Sequence, residues 1–96
     1  MYVGVLHLRL AIHAAQSLKD RRRSVKALTD RVRNNFNAGA ADVDADPRPQ
    51  RADVAFVCVS GDRRYLEGQL RRIVDFVEGL HLDIEVVDEE MEILRQ

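Results

Sequence analysis

The sequence predicts an α+β domain whose elements follow one another as strand, helix, strand, strand, helix, strand. Three observations support this order. Residues 2–12 and 52–60 are alternating or continuously apolar, as strands are. Two further stretches carry apolar side chains at the helical spacing of three and four residues. The remaining segments, 37–46 and 82–94, have the composition of shorter or less regular strands.

The first strand and the first helix are the most regular of these elements. Along residues 2–12 one face is uniformly apolar, and the other becomes polar in its second half, with Val3, Val5, His7 and Arg9. This asymmetry is typical of a sheet that helices cover on one side only. Ser17 is predicted to cap the helix, with Asp20 in the acidic position of a capping box. The helix is expected to end near Phe36, with one apolar stripe of Leu18, Val25, Leu28, Val32 and Phe36.

The second half of the chain repeats the pattern with a hairpin in front. A weak strand over Asn37–Asp46 and the turn DPRPQ precede Ala52–Ser60, which is apolar on both faces and is expected near the sheet centre. Ser60-Gly61-Asp62 ends that strand and is predicted to cap a helix whose apolar stripe is Leu66, Leu70, Ile73, Val77 and Leu80. The last strand, Leu82–Leu94, shifts phase at Val87-Asp88, which predicts a bulge.

Two crossovers joined by a hairpin predict a four-stranded antiparallel sheet in the order 4-1-3-2 with both helices on one face, the ferredoxin-like arrangement. We expect residues 1–96 to form a single domain of this kind. No apolar run has the length of a membrane span, and Arg9 interrupts the N-terminal apolar stretch before it could serve as a signal peptide. A cytoplasmic protein without membrane contact is therefore expected. The single cysteine, Cys58, excludes an internal disulfide.

The net charge of −1 conceals a strong asymmetry along the chain. Residues 1–36 hold eight basic and two acidic side chains, a local charge of +6. Residues 81–96 hold one basic and six acidic side chains, a local charge of −5. The fold is therefore expected to have a positive pole at the first helix and a negative pole at the last strand.

Three segments, SLKDRR, RVRNNFN and VSGDRR, carry a resemblance to a known family. With them the chain resembles, over nearly its whole length, the YlxP family of small bacterial proteins. The resemblance implies a ferredoxin-like fold. The genes of that family commonly lie beside those of transcription and translation factors, which implies work near RNA or the ribosome. The family offers no catalytic residues to carry over, and the loop at residues 13–16 departs from its common Pro-Gly-containing form.

The first helix carries the main candidate site. Five basic side chains fall within about a third of its circumference and are called the basic stripe below: Lys19, Arg22, Arg23, Lys26 and Arg33. Arginine suits bidentate contact with phosphate, so the basic stripe can position RNA without reading its sequence. The alternative is a solvated helix face. Cations near a helix N-terminus oppose its dipole, which mildly favours a functional role.

Other chemistry finds less support. MYVGVL resembles the first-strand motif of RNA-recognition domains, but the third strand offers only Phe56 for base stacking. The histidines His7, His13 and His81 lack ligand spacing, and Cys58 lies in an apolar strand with no neighbouring base. The segment HAAQS also lacks the glycine and arginine of an acylphosphatase loop. We therefore expect no catalytic residues, no cofactor, no metal and no small-molecule substrate.

Two functional hypotheses follow from the sequence. The first is a non-enzymatic accessory protein of the transcription or translation machinery that contacts RNA or ribosomal components through the basic stripe. The second is a homodimer or protein-interaction module that uses the uncovered sheet face. An enzyme ranks third.

Overall fold

Six elements make up the computed structural model, which describes residues 1–96. They are β1 (Tyr2–Ala11), α1 (Leu18–Asn35), β2 (Gly39–Asp42), β3 (Arg51–Ser60), α2 (Arg63–Gly79) and β4 (Glu85–Arg95). All strand pairs are antiparallel, and the sheet order is β2-β3-β1-β4. The predicted fold and strand order are confirmed. Neither helix contains an apolar segment long enough to cross a bilayer.

The core lies between the two helices and one face of the sheet. α1 packs over β2 and β3, whereas α2 packs over β1, β3 and β4. Phe56, the central aromatic of β3, is fully buried and faces the helices. α2 approaches β1 most closely at Gly4, where a Cβ atom would lie 2.9 Å from Cδ1 of Leu70. Hydrogen is therefore the only substituent that this crossing accommodates without displacing a neighbour.

Both helix starts follow the predicted capping. Ser17 Oγ accepts from the Asp20 amide at 3.0 Å, and Asp62 Oδ1 accepts from the Arg64 and Tyr65 amides. The reciprocal bond of a capping box is displaced, because Asp20 Oδ2 accepts from the Gln16 amide and not from that of Ser17. α1 ends one residue before the predicted Phe36, which is its C-terminal cap.

Two strands are shorter than the sequence indicates. β2 ends at Asp42 because the next carboxylates bind the backbone in place of a neighbouring strand. Asp42 Oδ1 accepts from the Asp44 amide, and Asp44 Oδ1 accepts from the Asp46 amide. β4 begins at Glu85, three residues late, because the preceding amide of Ile84 donates to the carbonyl of Leu82 within a turn.

The phase shift in β4 is a bulge at Val87, as predicted. Arg9 faces Asp88 and Leu10 faces Val86, so Val87 has no partner on β1. The extra residue reverses the alternation of the strand, and Val86 and Met91 consequently both turn towards the helices. Without it, one half of β4 would present its apolar side chains to solvent.

The opposite sheet surface is not covered by either helix and is called the open face below. Val3, Val5, His7 and Arg9 lie on it, as the alternation predicts. Across the sheet from them lie side chains of β3 and β4: Asp53, Ala55, Val57, Val59, Asp88, Glu90, Glu92 and Leu94.

Candidate nucleic-acid interface

The basic stripe lies on the outer surface of α1, turned away from the sheet. All five of its side chains are exposed. The helical spacing that turns the buried residues Val25, Leu28 and Val32 inward leaves these cations outside. The structure thus places the predicted residues together on one accessible surface.

Only two of the five cations have an ionic partner. Lys26 Nζ lies 2.5 Å from Asp30 Oδ2, and Arg33 Nη1 lies 3.1 Å from Asp30 Oδ1. The hydrogen bond from Lys26, together with the charges of both cations, lowers the pKa of Asp30 below its ordinary value. Lys19, Arg22 and Arg23 make no ion pair. These three therefore keep their charge and their donors available for a ligand.

The five residues do not converge on one pocket. Arg22, Lys26 and Arg33 line a shallow groove of about 420 Å³ beside β2, where Arg33 Nη2 also donates to the Ala40 carbonyl at 2.7 Å. Arg23 lies on the other flank of the helix, in a groove shared with Asp83. An extended ligand such as a nucleic-acid backbone can span both flanks, whereas a compact small molecule cannot.

Arg21 is counted in the positive charge of the N-terminal segment, but the structure shows that this charge is buried and paired. It is one of the eight cations of residues 1–36, yet its side chain is only 5% exposed. Its Nη1 lies 2.6 Å from Asp42 Oδ2, its Nη2 lies 3.4 Å from Asp44 Oδ2, and its Nε donates to the Arg51 carbonyl at 2.8 Å. The sequence did contain a signal, because Arg21 stands four and seven residues before the buried Val25 and Leu28.

This buried ion pair fixes α1 to the edge of the sheet. The hydrogen bond from Arg21 is the main reason that the pKa of Asp42 lies below its ordinary value, and the same bond raises the pKa of Arg21. No buried side-chain donor or acceptor in the protein lacks a partner. Arg21 therefore anchors α1 to the sheet and is not part of the exposed basic stripe.

Two further arginine clusters were not predicted. A groove of about 510 Å³ between α2 and β4 is lined by Arg63, Arg64 and Arg71, of which Arg63 pairs with Glu67 and Arg71 approaches Glu89. A second, open cleft of about 450 Å³ is lined by Arg48 and Arg51 with Gln16, Pro49 and Gln50. Arg64 and Arg51 have no ionic partner, so cationic surface extends beyond α1.

Metal-binding and nucleophilic groups are not brought together. No cluster of three or more histidine, cysteine, aspartate or glutamate side chains has the geometry of a metal site. Cys58 is buried, and desolvation raises the pKa of its thiol despite an opposing contact with Gln69. A thiol of this kind is a poor nucleophile at neutral pH.

The positive and negative poles lie on different parts of the molecule. α1 covers the β2 side of the sheet, and β4 forms the opposite edge. No ion pair joins the basic stripe to β4; the arginine that approaches a carboxylate of this strand is Arg71 of α2, with Nη1 3.7 Å from Glu89 Oε1. The basic stripe and the carboxylates of β4 are therefore separated in space, although Asp83, which precedes β4, shares the groove of Arg23.

Fold and surface together define a small ferredoxin-like protein with a basic outer helix and an uncovered sheet. The model of the family described as "Protein of unknown function (DUF503)" matches residues 3–91, and the chain belongs to this family. It is 29% identical over 77 residues to "Uncharacterized protein YlxP" of Bacillus subtilis (strain 168), covering 80% of this chain and 84% of that protein. The resemblance to the YlxP family is thereby confirmed.

A solved structure supports the fold alone. "De novo designed protein Foldit4" superimposes with a TM-score of 0.53 at 15% identity, covering all of this chain and 99% of the designed one. At this level of identity the likeness concerns the path of the backbone and carries no information about function.

Proposed function

We propose that this chain is a non-enzymatic accessory protein that contacts the sugar-phosphate backbone of RNA, free or within a ribonucleoprotein, through the basic stripe of α1. One observation carries the proposal. Lys19, Arg22 and Arg23 are exposed and unpaired on one helix, while the only other cation of that turn, Arg21, is buried and neutralised.

The arrangement favours phosphate contact over base recognition. The exposed donors are arginine and lysine side chains spread along a helix, which suit a charged backbone. The open face lacks the aromatic side chains on which RNA-recognition sheets stack bases, since its members on β1 and β3 are aliphatic, histidine or charged. Binding through α1 should therefore depend little on sequence.

The number of unpaired cations predicts how steeply the affinity for RNA should fall with salt concentration. Each phosphate neutralised on a single strand contributes a slope of about −0.7 to the plot of log K against log salt. Three unpaired cations therefore predict a slope of about −2. Lys26 and Arg33 add to it only if RNA displaces Asp30 from them.

The test compares two double charge reversals by fluorescence anisotropy of a labelled single-stranded RNA and by co-sedimentation with ribosomes. Arg22→Glu with Arg23→Glu removes two unpaired cations of the basic stripe. Arg64→Glu with Arg95→Glu is the matched control, because both residues are exposed, unpaired and lie outside α1, on α2 and β4. Both pairs change the net charge from −1 to −5, since each reversal subtracts two charges.

We expect the α1 pair to lose at least tenfold in affinity and the control to lose much less. Both variants should retain the wild-type circular dichroism spectrum, because none of the four residues is buried. Equal binding by the α1 pair and the wild type across a salt titration would show that the basic stripe is only a solvated surface. Equal losses in both pairs would show that net charge, and not α1, governs the association.

A further inference from the structure

We propose that the open face is covered by a second copy of this chain, in a dimer whose two-fold axis runs parallel to the strands and passes between β1 and β3. This inference is independent of RNA binding, because the basic stripe lies on the opposite side of the molecule. It follows from how apolar and charged side chains are distributed over the open face.

One end of the open face is apolar and accessible. Val3 lies between Leu94 and Val59, and in the next row Val5 lies between Val57 and Glu92, the one charged residue of these two rows. Val59 is 62% exposed, Val57 43% and Leu94 41%, although all lie on regular strands. Three neighbouring aliphatic side chains of this accessibility form the kind of contiguous patch that usually marks an interface.

The other end of the open face is charged. Asp53 Oδ1 lies 3.4 Å from Arg9 Nε and 3.2 Å from His7 Nε2. Asp88 stands across from Arg9, and Glu90 stands across from His7. Any partner that covers the whole face must therefore match an apolar end and a charged end in the same orientation.

A second copy meets this requirement under one symmetry operation. A two-fold axis parallel to the strands keeps the apolar ends together and lays β1 of each copy over β3 of the other. Following the β1–β3 register, Val3 then meets Val59 of the second copy, and Arg9 meets Asp53 of the second copy. The contact is self-complementary, as an isologous interface must be.

The other in-plane axis is unfavourable. A two-fold axis perpendicular to the strands would lay β4 on β4 and oppose the carboxylates of the two copies, which are Asp88, Glu90 and Glu92 in each. It would also place the apolar end of one copy on the charged end of the other. With the axis parallel to the strands, β4 instead lies over the short β2 of the second copy, whose residues on the open face, Gly39 and Ala41, carry no charge. Like-charge repulsion thus selects the orientation.

The area of the face predicts a moderate affinity. Three strands of ten or eleven residues and one of four, at about 3.3 Å per residue and about 4.8 Å between strands, give roughly 550 Å² per copy. Two copies bury roughly 1,100 Å², close to the lower limit of a stable interface. Nearly the whole face must therefore be covered, and we expect a dimer whose dissociation constant lies in the micromolar range.

The first test is sedimentation equilibrium from low to several hundred micromolar protein. The wild type should change from monomer to dimer, and Val59→Asp should raise the dissociation constant at least tenfold. Leu18→Asp is the matched control, since it places the same charge on a half-exposed aliphatic residue of α1 and should leave association unchanged. A wild type that stays monomeric, or a Val59→Asp variant that dimerises as well as the wild type, overturns the proposal.

The second test distinguishes this axis from any other arrangement. Arg9→Asp alone opposes two carboxylates in each dimer contact, and Asp53→Arg alone opposes two cations, so each variant should be monomeric. When the two variants are mixed, both contacts become attractive, and a heterodimer should form that native mass spectrometry detects. The charge pairs inside each chain are the same before and after mixing, so rescue reports only on the contact between copies. Failure of the mixture to associate refutes the proposed axis.

Discussion

Replacing the buried Arg21 with alanine should cost more stability than replacing any exposed cation of α1. The side chain joins α1 to the end of β2, the loop that follows it and the start of β3, by contacts with Asp42, Asp44 and the Arg51 carbonyl. Alanine would remove four hydrogen bonds and leave these acceptors without their cation. The result separates a structural cation from the neighbouring exposed cations of the same helix.

The expected magnitude depends on which acceptors water can reach. Removing one partner of a buried ion pair typically costs about 3–5 kcal/mol. Asp42 retains 34% of its side-chain exposure and can be hydrated again, whereas Asp44, at 7%, cannot. We therefore expect Arg21→Ala to lower the free energy of unfolding by about 2–4 kcal/mol, a large share of the stability of a small domain. Arg21→Lys keeps the charge but loses the forked geometry of the guanidinium, and its free energy of unfolding should lie between those of the wild type and Arg21→Ala.

Urea unfolding followed by circular dichroism measures this difference directly. The control is Arg22→Ala, whose guanidinium is exposed and unpaired and whose loss should change the free energy of unfolding by no more than about 0.5 kcal/mol. A similarly small effect for Arg21→Ala would mean that the attraction within the ion pair only offsets the free-energy cost of removing its charges from water. In that case the buried arginine would not hold α1 in place.

Three further predictions concern the core and pH. Leu28→Ala should lower the free energy of unfolding by about 2–5 kcal/mol in urea titration, because this fully buried side chain leaves a cavity. Gly4→Ala should cost about 1–3 kcal/mol by the same assay, because its Cβ would lie 2.9 Å from Leu70 Cδ1, and a cost near zero would show that α2 can retreat. Since the Arg21 hydrogen bond lowers the pKa of Asp42, its contribution is complete above about pH 4–5 and is lost as pH falls through the lowered pKa. Asp42→Asn should consequently flatten the dependence of unfolding free energy on pH in acid, and an unchanged slope would assign acid sensitivity to other groups.

Periodicity was sufficient to predict the fold because the regular strands and both helices bury one face each. The alternation in β1 and β3 and the stripe through Leu66 and Leu70 determine which side chains meet. Even the bulge at Val87 was visible, since a phase change in a two-residue repeat has few structural explanations. The extent of β2 was not predictable, because the side chains of Asp42 and Asp44 accept from the backbone amides of Asp44 and Asp46 and end the strand.

The sequence predicted which cations of α1 are exposed but not which of them form ion pairs. Helical projection placed the basic stripe outside, as the structure shows. It could not tell that Asp30 binds Lys26 and Arg33 while Arg22 stays unpaired, because those pairings depend on side-chain rotamers. The interior position of Arg21 could have been inferred only from its helical spacing to Val25 and Leu28, against the usual exposure of a charged side chain. Its partners lie about twenty residues further along the chain.

The sheet order has a consequence for synthesis of the protein. β1 is made first and occupies a central position, and its neighbour β4 is made last. Chains leave the ribosome at about 5–20 residues per second, so the outer backbone edge of β1 stays unpaired for several seconds in every nascent chain. Until β4 arrives, that edge is a free template for other strands. Once β4 has paired with β1, the exposed edge is that of β4, and the carboxylates of this strand discourage it from pairing with further chains.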